Sequence, residues 1–361
     1  MIKLKQDAKQ IELVKAIGSK NRGESLAAQE AFAAAVGPVI GQVLMQLGTA
    51  PMIYEDFNYG EDETPVFPLD FYYGAGATEI SVWSASKAGG LPSNWIESSG
   101  ELRFTTYQLD SAIHFDKKFA RKTFAFNILS KAVERMLNEI LIKQERQSWA
   151  TICRALGEAR TNGADHLIDA TTADTIGLDD FNRLLTLHKR INQSYAGGTP
   201  ASVYSSGPTD IFLSPEMKEK IRGFAYNPMN TTAVPNTDES TALGLPDSIR
   251  EEIYRNAGTS SIYGINITEL NELGVGQKYN ILFGQYAPAG ASFTVASEEV
   301  VFALDLSKGA FIRPVKTDGS STATVQPDDQ YLVRSEKVGF FTSLEESRVV
   351  LDSRAISGIL V

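Results

Sequence analysis

The sequence predicts an α+β fold, with helices and strands segregated along the chain. Three observations lead there. Phe119 to Leu156 contains no Gly or Pro and repeats apolar side chains at helical spacing (Phe126, Leu129, Val133, Met136/Leu137, Ile140/Leu141, Trp149, Ile152, Leu156). Ahead of it, Val66 to Phe115 has the character of a long hairpin. After Tyr263 the chain consists mostly of short apolar runs of strand length.

Taken in order, the first fifty residues read as helical. Leu4, Ile11, Val14 and Ile17 recur at helical spacing until Gly18, and Leu26 to Leu47 continues the pattern with a break expected at Gly37-Pro38. Ala31 to Leu47 is nearly all small or apolar, yet at about 17 residues it falls short of the ~20 that span a bilayer. An arm with so little polar surface is expected to lie against something else.

In the hairpin, Ile80 and Val82 alternate with Glu79 and Ser81, and Ser86 to Asn94 forms a Gly/Pro/Ser-rich tip. The return passes through Leu102 and Phe104. The apolar phase then slips by one residue to Tyr107, Leu109, Ile113 and Phe115, as a bulge would produce. The helix that follows, at 1.5 Å per residue, is ~54 Å long.

Leu178 to Gln193 reads as a helix with Asp179 and Asp180 at its start and Lys189 and Arg190 near its end. Asp210 to Leu213 is a short buried strand, and Ser214-Pro215 opens a helix as N-cap and first helical residue. Tyr226 to Pro246 is a loop. Strands are expected at Ile265–Ile267, Tyr279–Tyr286, Ser292–Val295, Val300–Leu306 and Ala310–Pro314. A polar turn region, Thr317 to Asp329, precedes two more strands, Gln330–Phe341 and Arg348–Ile356.

Composition narrows function. The chain has 361 residues and a formal charge of -10, which argues against a dedicated nucleic-acid binder. The charge is uneven. Pro51 to Asp110 holds ten acidic residues against Lys87 and Arg103, a net of -8, whereas Phe119 to Arg160 holds eight basic against four acidic, a net of +4. A single cysteine, Cys153, cannot form an intramolecular disulfide, and His114, His166 and His188 have no zinc-site spacing. No metal, cofactor or catalytic residue is assigned. Gly74-Ala75-Gly76 and Gly274-Val275-Gly276 read as turns, Glu61-Asp62-Glu63 as a solvated acidic loop, and His114 with Asp116 as the least implausible catalytic pair if the chain were an α/β enzyme.

The order of elements is a helical arm, an acidic hairpin with a Gly-rich tip, a very long helix, mixed helix and strand, then terminal strands. It resembles the major capsid protein of tailed bacteriophages, the Hong Kong 97-type fold also used by encapsulins, over nearly the whole chain. The resemblance implies an N-terminal arm at 1–52, an E-loop hairpin with flanking strands at 53–118, a spine helix and peripheral (P) domain at 119–176, an axial (A) domain at 177–314, and returning P-domain strands at 315–361. It implies a structural protein, a homo-oligomer whose hexamers and pentamers form an icosahedral virion shell around double-stranded DNA contacted nonspecifically. Expected partners are a separate scaffolding protein, a portal and a decoration or cement protein; assembly in the host bacterial cytoplasm is expected, and no membrane contact. The alternative is an encapsulin-like compartment around a cargo enzyme. Expected assembly contacts are Lys87, Gly89, Gly90, Leu91 and Pro92 at the E-loop tip, with Arg135, Lys143 and Arg146 on the spine helix as assembly or inner-face charge. Some relatives cross-link an E-loop lysine to an asparagine; Lys87 has no asparagine or acid here that can be matched to that role.

Overall fold

The structure is a computed structural model that describes residues 8–46, 48–60, 63, 66–68, 101–120, 125–161, 166–172, 174–195, 207–226, 261–262, 264–286, 293–317, 324–328 and 337–361. Two compact units divide it, one within Met1–Leu69, Gly100–Ser148 and Phe311–Val349, the other within Trp149–Ala310 and Val350–Val361. Among the described residues no helix is long and apolar enough to cross a membrane.

The first unit begins with α1 (Ala8–Ile17) and α2 (Arg22–Gln46). α2 runs through Pro38, contrary to the break expected there. Pro38 and Ala34, whose carbonyl loses its helical donor, both lie on the exposed side, where solvent can satisfy that carbonyl. The opposite side buries Ala28, Phe32, Val36 and Ile40 in the unit's own core, with the Phe32 and Phe340 rings 5.2 Å apart. The arm is therefore covered by its own chain along that face.

Beyond the short α3 (Ala50–Ile53) come β1 (Glu55–Tyr59), β2 (Val66–Pro68), β3 (Glu101–Arg103) and β4 (Tyr107–Asp116). The phase slip after Phe104 is a change of sheet. β3 pairs with β2, whereas β4 pairs along its whole length with β12 (Lys337–Glu346), Tyr107 opposite Glu346 and Asp116 opposite Lys337. β12 also pairs with β11 (Thr324–Pro327) and, at Glu346, with β10 (Phe311–Lys316), which lies parallel to β1. β11 falls inside the expected polar turn region; Val325 packs on the core that α2 shares, so burial outweighs its polar neighbours.

After α4 (Lys117–Ala120), α5 (Ala125–Thr161) is the predicted long helix, 37 residues. Val133, Met136, Leu137 and Ile140 enter the first unit's core; Trp149, Ile152 and Leu156 are wholly buried in the second. The helix outruns the expected end at Leu156. Gly157 is buried there, and a Cβ at that position would sit 2.5 Å from the Tyr286 carbonyl oxygen. Glycine permits this close approach and does not stop the helix.

The second unit is a mixed sheet in the order β5 (Leu167–Asp169), β14 (Ile356–Leu360), β9 (Val300–Leu304), β6 (Asp210–Leu213), β8 (Ile265–Glu269), β7 (Ser261–Ile262). Every residue of β6, β9 and β14 is buried, as expected of strands covered on both faces. Phe212 and Phe302 pack on Trp149 with centroids at 5.1 and 5.5 Å. Their neighbours Ile211, Leu213, Val301 and Ala303 join Phe181 and Leu184 of α6 (Leu178–Tyr195) and Met217 of α7 (Pro215–Tyr226) in a separate cluster. Ser214 caps α7 as expected, its Oγ accepting from the Met217 N–H at 3.1 Å.

Three strand expectations change. Tyr279 to Tyr286 is a helix, α8 (Lys278–Tyr286), burying Tyr279, Asn280 and Phe283 at helical spacing. Phe293 to Val295 is not a strand; the Thr294 carbonyl accepts from Ser297 and Glu298 N–H groups in a turn. The expected last strand splits into β13 (Val349–Val350), a turn at Ser353–Ala355 capped by Asp352, and β14, which pairs with β9 and β5 in the second unit and so leaves the group of returning strands.

Replacing Gly157 by Ala in an ordinary helix would add about 0.5–1 kcal/mol of stability. Here Gly157→Ala is expected to lower the urea midpoint of unfolding; an unchanged or raised midpoint would show that α8 yields without cost.

Candidate assembly surfaces and a buried charge centre

The E-loop tip residues Lys87, Gly89, Gly90, Leu91 and Pro92 lie outside the described residues, as do the 226–246 loop beyond Tyr226 and Gly74-Ala75-Gly76. Arg135, Lys143 and Arg146 are exposed on α5. At 3.6 residues per turn they fall within an arc of about 80°. Lys131 adjoins this arc and Glu139 sits within it, while Ile142 beside it is 42% exposed. The result is a cationic stripe with one acid and one apolar residue. Exposed charges of this kind add little to folding, so the stripe can change without unfolding the unit.

The residues considered for chemistry are not brought together. His114 is exposed on β4, and Asp116 binds Lys118 at 3.1 Å. Glu63 accepts from the Gly60 N–H at 3.1 Å in a local turn. Gly274 and Gly276 adopt φ of 134° and 71°, the turn role read from sequence. Cys153 is buried, and burial holds its thiol far above the ordinary range, which leaves little nucleophilic thiolate. Among the described residues no three His, Cys, Asp or Glu side chains are placed to hold a metal ion.

Sequence reading missed a buried charge centre in the first unit. Glu346, wholly buried at the end of β12, receives the Arg313 Nε–H at 2.9 Å, the Gln144 amide at 2.9 Å, the Arg348 guanidinium at 3.3 Å and the Tyr107 hydroxyl at 3.3 Å. Arg313 also reaches Asp56 of β1 at 3.3 Å, and the Arg348 guanidinium stacks 5.2 Å from the Tyr54 ring centroid. Burial first, then the Glu346 charge, holds the Tyr107 phenol well above its ordinary value. One signal was available: Arg313 interrupts the apolar run Phe311 to Val315, and a cation there must be paired or unfold the strand. A second carboxylate, Glu145 of α5, accepts from the Thr49 and Ala50 N–H groups at 2.9 and 3.1 Å and from the Thr49 hydroxyl, tying down the start of α3.

Helical arm, hairpin strands, long helix, one sheet centred on β12 and a second mixed sheet together define the fold of tailed-phage capsid subunits, the Hong Kong 97 type. Among solved structures the chain is similar to the capsid of the cyanophage P-SCSP1u, at 13% identity, 85% of this chain, 86% of that chain and a TM-score of 0.53. It is likewise similar to the capsid of a native GTA particle, at 11% identity, 87% of this chain, 90% of that chain and a TM-score of 0.52. No protein-family model matches the sequence, and neither does any curated protein.

Glu346→Gln would take from buried Arg348 its carboxylate partner and leave Arg313 with Asp56 alone, and breaking such a buried pair costs about 3–5 kcal/mol. The expected result is a loss of that size in urea unfolding followed by tryptophan fluorescence and circular dichroism; a change under about 1 kcal/mol would mean the site is solvated.

Proposed function

We propose that this chain is the major capsid protein of a tailed phage. Its copies assemble as hexamers and pentamers into an icosahedral virion shell enclosing double-stranded DNA. The supporting observation is that more than four fifths of the chain follows the fold of two capsid structures with TM-scores above 0.5. The role is structural and requires no catalytic step. A chain with a net charge of -10 cannot attract DNA as a whole, so contact with the packaged genome is nonspecific and weak per subunit. A scaffolding protein, a portal and a decoration or cement protein are the partners, with assembly in the host bacterial cytoplasm.

In this reading the acidic hairpin, tipped by Lys87 to Pro92, lies over a neighbouring copy. The Arg135, Lys143 and Arg146 stripe is the surface of opposite sign available to it.

Electron microscopy of the chain expressed with and without its neighbouring genes tests the reading. Closed shells that package DNA are expected, a stable round monomer would refute it, and shells around a protein cargo would transfer the chain to the encapsulin-like alternative. Reversing Arg135, Lys143 and Arg146 to Glu should leave the subunit folded but weaken assembly at low salt, with partial recovery as salt screens the repulsion; assembly identical to wild type at all salt concentrations would remove the stripe from the interface. Deleting Ala85 to Trp95 should yield folded subunits without stable shells, and intact shells would sink the E-loop assignment.

A further inference from the structure

The first unit leaves one long strand open. Among the described residues β4 pairs with β12 alone, so over ten residues its other edge has no strand beside it. Natural sheet edges are blunted by shortness, proline, charge or a bulge. The other outer strands of this sheet are blunted in this way: β11 has four residues and ends in Pro327, and β1 has five and begins Glu55-Asp56. β4 is about twice the usual strand length, contains neither proline nor lysine, and keeps an unbroken register against β12.

Its side chains divide by face. Leu109 lies in the unit's core, with Tyr107, Ile113 and Phe115 packed against that core, whereas Gln108, Asp110, Ala112 and His114 are exposed. The exposed row is complementary to its own reverse. Turned antiparallel upon a copy of itself about Ala112, it sets the Asp110 carboxylate opposite the His114 imidazole twice and Gln108 opposite Asp116. On the inner face the same register sets Leu109 opposite Phe115. Centring on Asp110 would oppose two carboxylates, centring on Ile113 would set Asp110 against Asp116, and centring on Ser111 would leave Asp110 opposite Ala112. An axis through a residue position also preserves the alternation of faces, so the cores of both copies stay on one side of the joined sheet.

We propose that the open edge of β4 is an interface between copies of this chain, in which two β4 strands pair antiparallel about a two-fold axis at Ala112. The contact joins one shell subunit to another, and in that respect it rests on the capsid reading.

Disulfide capture tests the pairing. A residue on the axis faces its own counterpart with Cα atoms about 4.5–5.5 Å apart, within disulfide range, and the native Cys153 is wholly buried. In assembled A112C particles, mild oxidation is expected to give a disulfide-linked dimer on a non-reducing gel. Q108C lies on the same exposed row but ~27 Å from its counterpart in this register, and should give none. Adding D110K to A112C should slow linking about fivefold, and further adding H114D should restore it. Closed shells in which A112C links no faster than Q108C, linking indifferent to D110K, or a D110K loss that H114D does not reverse would overturn the edge pairing and leave the capsid reading intact. If no shells form, the capsid reading fails and the soluble chain decides the edge: faster linking of A112C than of Q108C supports the pairing, and equal rates overturn it.

Discussion

One buried carboxylate organises the first unit. Glu346 ends β12, the strand that pairs with β4, β11 and β10, and its two oxygens are shared among Arg313, Arg348, Gln144 and Tyr107. Those four side chains come from β10, the 346–349 turn, α5 and β4, and Arg313 extends the network to Asp56 on β1. Removing such ions from water costs several kcal/mol each, so the centre adds little net stability. Its effect is on specificity. A one-residue slip of β12 against β4 would turn Glu346 to the opposite face and strand two guanidiniums in the interior. The penalty for misplacement is large even though the gain over a well-packed apolar substitute is small.

The second unit rests on a different constraint. β6, β9 and β14 are covered on both faces, with Trp149, Phe212 and Phe302 on one and Phe181, Leu184 and Met217 among the cluster on the other. Sheets of this kind have no wet side, so every polar group beneath them needs an internal partner. His166, Ser357, Asp305 and Asn280 meet that need with specific bonds, while His188 is held through Nδ1 and its Nε2 has no hydrogen-bond partner among the described residues. The same dryness holds the His166 imidazole below its ordinary value.

Much of the fold was legible because the relevant signals are local. The Gly-free run ahead of Leu156 predicts α5, and Ser214-Pro215 predicts the α7 start within one turn. Errors cluster where distant contacts override local pattern. Pro38 and Gly157 are helix breakers by composition, yet solvent on one side and the Tyr286 carbonyl on the other make both compatible with a continuous helix. Tyr279 to Tyr286 is short and apolar enough for either state, and Asn280, bonded to the Glu298 carbonyl and the Val300 N–H, favours the helix. Of the candidate assembly residues, Arg135, Lys143 and Arg146 proved to share an exposed face, which helical periodicity alone foretells.

The sequence by itself determined the class of fold, the long helix, the separation of negative and positive segments and the lack of a recognisable catalytic motif, because each is written in spacing or composition over a few turns. Tertiary structure decided which apolar faces the chain covers for itself. It seated α2 on Phe340 and carried β14 into the second sheet. It also gathered Arg313, Glu346 and Arg348 into one centre and placed two histidines against one strand. These arrangements join residues tens to hundreds of positions apart, and burial, which sets their energies, exists only once the chain has closed around them.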